Sequence, residues 1–153
     1  MTDFFAALYE WFGLISLYSS DLADHLRGWD LLCESYSGTP GYVYVGWLMI
    51  LVTMALYVFQ YHVYDRPNFQ RRHHWWLVAC VGALLNFTIA FSFAYNALQT
   101  GDHCIDLYWS IPDCAGFGFS NAVWGVILFV VITTLPFPRR LSTNCSHTTF
   151  WKP

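Results

Sequence analysis

Glu10 is the side chain whose position most invites chemistry. It interrupts an otherwise apolar run, Phe4 to Tyr18 (FFAALYEWFGLISLY). A carboxylate at membrane depth is expensive, so it must face protein or water, where it can line a pore, bind a cation or hold a polar partner. If that helix lies flat in the interface instead, Glu10 points to solvent. A second group is made of amides and hydroxyls: Asn86, Thr88, Ser92 and Asn96 in one apolar segment, with Asn121, Thr133 and Thr134 in another. Thr88, Ser92 and Asn96 recur at i, i+4 and i+8 and so share a helix face. Such groups hydrogen-bond between helices, each contributing about 0.6 to 2 kcal/mol. Small residues spaced by four (Ala79/Ala83, Ala90/Ala94, Gly118/Ala122) let backbones approach closely. Helix packing, within one chain or between copies, accounts for both patterns more simply than a polar path does.

Five cysteines are present: Cys33, Cys80, Cys104, Cys114 and Cys145. Cys33, Cys104 and Cys114 fall in segments assigned below to the outside, where a disulfide persists. Any two of the three can pair, and spacing does not choose among them. Cys80, inside a span, and Cys145, in the tail, are expected as free thiols. His73 and His74 are neighbours whose side chains diverge on a helix, and no carboxylate or thiol stands at ligand spacing. His103, beside Asp102 and Cys104, is no stronger, so neither a metal nor another cofactor is expected. Gly-rich phosphate cradles, H-E-x-x-H, G-x-S-x-G and paired intramembrane carboxylates are all missing from the sequence. The chain is therefore taken as a non-enzyme.

The elements that position these residues follow from composition. Of 153 residues, 56% are hydrophobic, 20% aromatic and 11% charged, where soluble domains carry roughly 25% charge. That excludes an ordinary water-facing enzyme, and a nucleic-acid module would need a basic face. Crossing the hydrocarbon core takes about 20 apolar residues. Residues 42–63, 75–98 and 117–137 each meet that length without one Asp, Glu, Lys or Arg. Residues 3–20 make a fourth candidate, which predicts an all-α integral membrane protein with a four-helix transmembrane bundle. The alternative is three spans plus an N-terminal interfacial helix.

Charge sets the orientation. The inner turn, 64–74, holds Arg66, Arg71 and Arg72, and the tail, 138–153, holds Arg139, Arg140 and Lys152. Basic residues near helix ends stay cytoplasmic. The outer loops, 21–41 and 99–116, hold seven of the ten acidic residues and only one basic residue, Arg27. Four spans put both termini in the cytoplasm; three put the N-terminus outside. A bacterial inner membrane is the expected location. The N-terminus is acidic and lacks an A-x-A-like site, so no cleaved signal is expected.

In helix number, short loops and a basic inner turn with Arg71 and Arg72, the chain resembles the small four-span membrane subunits of bacterial anti-phage systems such as Kiwa. That resemblance implies a membrane sensor partnered with a soluble effector. From the residues, the expectation is a homo-oligomeric sensor or anchor whose inner arginines (Arg66, Arg71, Arg72, Arg139, Arg140) hold a cytoplasmic protein. The competing expectation is an oligomeric channel with Glu10, Asn86, Ser92, Asn96 and Asn121 near its path.

Overall fold

The computed structural model describes residues 2–11, 14–63 and 72–134. Among them every regular element is helical: α1 (Thr2–Trp11), a 3₁₀ turn (Leu14–Leu17), α2 (Ser20–Arg27), α3 (Gly41–Val58), which runs on through a π turn (Phe59–Val63), α4 (Arg72–Thr100) and α5 (Ile111–Thr134). Three stretches are long and apolar enough to cross a membrane: Gly41–Tyr61, His74–Thr100 and Ile111–Thr134. At about 1.5 Å per residue they reach about 31, 40 and 36 Å, against a hydrocarbon core of roughly 30 Å.

The bundle is apolar on its outer faces as well as in its hydrophobic interior, where a few polar residues are enclosed. Leu51, Leu77, Leu84 and Val131 point outward, while Thr53, Asn86, Ser120, Asn121 and Thr133 are buried. Apolar solvent would reward that arrangement and water would not. The small residues serve contacts inside the chain. Ala79, Ala90 and Ala94 are buried, and Gly118 lies so close to Phe87 that an added Cβ would stand 3.1 Å from its ring.

Residues 3–20 do not make one spanning helix. α1 stops at Trp11 after ten residues, about 15 Å of rise, and α2 begins afresh at Ser20. α1 docks instead against the loop end of the bundle. Phe5 lies on Gly46, and Tyr9 reaches between Tyr42 and Met49 on α3 and Phe117 and Asn121 on α5. The 3₁₀ turn follows, with the Leu17 carbonyl pressed onto Gly116, where no Cβ has room. α2 is capped at both ends: Ser19 Oγ accepts from Leu22 N–H, and Gly28 closes the helix at φ 99°. Only glycine takes that left-handed turn without strain.

The loop end is knitted together. Cys33 and Cys104 form a disulfide that joins the two connecting loops. Tyr108 N–H donates to Asp21 at 3.1 Å. Asp30 gathers its own loop by accepting from Glu34 N–H, Ser35 and Ser37, which holds its carboxyl below the usual carboxylate range, the Glu34 amide first. Ser110 donates from both N–H and Oγ to the Asp113 carboxylate at the start of α5, which caps the helix from one side only. Helix α5 therefore starts before Cys114. That thiol is free and buried rather than one of a loop pair, and Cys80 is free and exposed.

A cross-link between residues 71 apart in sequence removes much conformational freedom from the unfolded chain, typically worth about 2–4 kcal/mol. Replacing both Cys33 and Cys104 by serine should lower the unfolding free energy of the detergent-solubilised protein by about 2–4 kcal/mol, seen as a lower thermal midpoint. Cys80→Ser should leave it unchanged.

Candidate functional site

The interior polar site begins at a phenol. Tyr9 is fully buried, and a buried hydroxyl must find a partner. Its Oη donates to Asn121 Oδ1 at 2.5 Å, and Asn121 Nδ2 donates to the Asn86 carbonyl oxygen at 2.8 Å. One side-chain relay thus ties α1 to α5 and α5 to α4. Around it stand aromatic rings: Tyr9 stacks on Tyr42 with centroids 5.4 Å apart, and Phe117 meets Tyr9, Tyr18 and Tyr42 within 5.9 Å. The hydroxyls of Tyr18 and Tyr42 share a hydrogen bond of 3.0 Å. Asn86 Oδ1 is buried without a hydrogen-bond partner among the described residues.

One residue after Tyr9, Glu10 leaves this interior. Its carboxylate receives a two-pronged pair from Arg27, Nε at 2.9 Å and a terminal nitrogen at 2.5 Å, with Asp24 3.8 Å from the same guanidinium. The Glu10 hydrogen bond pushes the Arg27 guanidinium still further above its usual range. Glu10 is thus placed at the loop end, joining α1 to α2. Arg27 is the lone Lys or Arg of the acidic segments 21–41 and 99–116, and that isolation was the available signal for the pair.

A third cluster lies under the disulfide. Trp109 is flanked by His25, ring centroids 4.9 Å apart, and His103, 4.5 Å apart. His103 Nδ1 lies 3.3 Å from the Ala97 carbonyl, and His25 Nδ1 is buried without a hydrogen-bond partner among the described residues. Burial pushes the His25 imidazole down from its ordinary value, the His103 charge adds to this, and Asp102 opposes it. Nearby, the sulfurs of Cys33 and Cys104 and a carboxylate oxygen of Asp106 lie within 4.8 Å of one another. The sulfurs are bonded to each other and so are not thiolate ligands.

Asn86 and Asn121 come together as one node. Ser92 and Asn96 do not join them, being exposed on the outward face of α4, where Thr88 satisfies itself on the Leu85 carbonyl at 2.9 Å. Arg72 opens α4, while Arg66, Arg71, Arg139 and Arg140 lie outside the described residues. Sequence reading missed Tyr9, Tyr18, Tyr42, His25 and Trp109, because tyrosine and tryptophan in such a chain are first read as interfacial anchors. No protein-family model, no curated protein and no solved structure matches the chain.

A buried phenol–amide relay and an ion pair, one residue apart on α1, link the capped loops to the bundle interior. Tyr9→Phe leaves Asn121 Oδ1 buried and unpaired, which costs about 1–3 kcal/mol. The expected result is a lower unfolding midpoint in a detergent titration with the disulfide still formed.

Because folding holds His25 neutral, the unfolded chain binds the extra proton. Stability therefore falls as pH drops through and below the ordinary imidazole value of 6.5. Between about pH 7.5 and about pH 5.5, where carboxylates stay ionised, the thermal midpoint should decline. His25→Gln should flatten the decline.

Proposed function

We propose that this chain is a non-enzymatic sensor or anchor subunit of a bacterial inner membrane, homo-oligomeric, which regulates a cytoplasmic protein partner in anti-phage defence. In this reading α3, α4 and α5 are the three spans, and α1 and α2 lie at the outer end with the acidic loops. The basic segments 64–74 and 138–153 face the cytoplasm, in keeping with the distribution of Arg and Lys. The N-terminus is then outside and the C-terminus inside.

The observation that carries the reading is the clasped outer cap. Leu31, Leu32 and Ile105 are 60, 77 and 80% exposed beside the disulfide, a surface that an external stimulus can touch. From there the Glu10–Arg27 pair and the Tyr9–Asn121–Asn86 relay lead to the helices that continue toward the arginines. Homo-oligomerisation is supported by how little each span buries within its own chain, at most 39% of its apolar window. A channel role for Glu10 is disfavoured because its carboxylate already holds Arg27.

The test is affinity purification of the full chain from bacterial membranes, paired with a phage-plating assay. A soluble protein should co-purify in fixed ratio, and Arg71→Gln with Arg72→Gln should release it and abolish protection while membrane insertion persists. A chain that carries no soluble protein but gives discrete currents in planar bilayers establishes the channel and overturns this reading.

A further inference from the structure

On the outward face of α4, near the loop end, three polar side chains are left without hydrogen bonds to the described residues. Ser92, Asn96 and Gln99 are exposed and have no partner among the described residues. They line an open groove of about 560 Å³ between α3 and α4, with Tyr44, Leu48 and Ile89 among its other walls.

Polarity is graded along the groove. Measured back from Thr100 at about 1.5 Å per residue, Gln99 lies about 2 Å, Asn96 about 6 Å, Ser92 about 12 Å and Ile89 about 16 Å from the helix end. On the facing wall Tyr44 lies about 4 Å and Leu48 about 10 Å from the start of α3. The headgroup and interfacial layer takes up about 5–8 Å on each side of a bilayer. The two amides thus sit at interfacial depth, the hydroxyl just below it, and the apolar floor in hydrocarbon. At that depth the amides can bond water or lipid acceptors, while the wall beneath meets only hydrocarbon, so a ligand with acceptors at the top and hydrocarbon beneath matches both parts of the groove.

We propose that this groove binds one diacyl glycerolipid of the leaflet on the loop side. The lipid's ester carbonyls accept hydrogen bonds from the Asn96 and Gln99 amides and the Ser92 hydroxyl, and one acyl chain lies along Leu48 and Ile89. No charged residue lines the groove, so recognition falls on the neutral ester region rather than on headgroup charge. A second copy fits less well. A two-fold contact sets a surface against itself, and two facing concavities leave a void whose walls lose their contacts. The proposal rests on the spans being membrane-embedded and not on the sensor role.

Native mass spectrometry of the full chain in detergent, titrated with palmitoyl-oleoyl phosphatidylethanolamine, tests it. One saturable adduct per chain is expected. Asn96→Leu combined with Gln99→Leu should weaken it at least tenfold, and the diether analogue, which lacks ester carbonyls, at least fivefold. Leu48→Trp, which fills the groove from the other wall and leaves the amides intact, should also displace it. Formation of the Cys33–Cys104 disulfide reports that each variant has folded. Equal binding of ester and ether lipids, equal binding by the variants, or a lipid-free dimer that the Asn96→Leu/Gln99→Leu variant dissociates would each overturn the proposal.

Discussion

A phenol sealed from solvent must hand its proton to an acceptor, and the position of that acceptor decides where the N-terminal helix of this chain can lie. Tyr9 meets Asn121 ten residues into α5. Asn121 in turn meets the backbone of Asn86 on α4. Breaking that relay would leave polar atoms unmet in an interior walled by Phe117, Tyr42 and Met49. The relay pins α1 to the loop-side half of the bundle. The ion pair one residue later, between Glu10 and Arg27, fixes the direction in which the chain leaves.

From this constraint the rest of the loop end follows. With α1 anchored, the 3₁₀ turn passes over Gly116, where only a missing side chain permits contact. Next, α2 lies with Leu22, Ala23 and Leu26 turned into the core, and the following loop is stitched to its neighbour through Cys33 and Cys104. The ion pair alone would hold little, since Arg27 is well exposed and such pairs contribute about 0–1 kcal/mol. Burial and the covalent link do more. Beneath the disulfide, the aromatic stack of His25, Trp109 and His103 fills the space between α2 and the loop after α4.

Much of this was legible in sequence. The charge-free runs 42–63, 75–98 and 117–137 anticipate the helices Gly41–Tyr61, His74–Thr100 and Ile111–Thr134, because uninterrupted apolarity over that length has few other uses. The start of α5 was read six residues late, since Pro112 and Asp113 look like loop residues. Proline is tolerated in a first turn, and Asp113 serves there as a cap. The face shared by Thr88, Ser92 and Asn96 was visible as a period, but whether it pointed inward was not, and it points outward. The first segment misled most. Its length suggested a span, whereas the 3₁₀ turn at Leu14–Leu17, the fresh start of α2 at Ser20 and the distant Arg27 that answers Glu10 depend on tertiary contacts that no local window contains. The choice of Cys33 with Cys104 likewise came from the way the loops meet.

The central proposal is that α1 rests on the same side of the membrane as the acidic loops instead of crossing it. Cysteine labelling with a membrane-impermeant maleimide tests this most directly, using intact cells and a background in which Cys80, Cys114 and Cys145 are serine. A cysteine at position 2 and a cysteine at position 35 should both react from outside, while one at position 143 should react only after the membrane is opened. If position 2 is protected until permeabilisation while position 35 reacts freely, α1 belongs to a fourth span and the account fails.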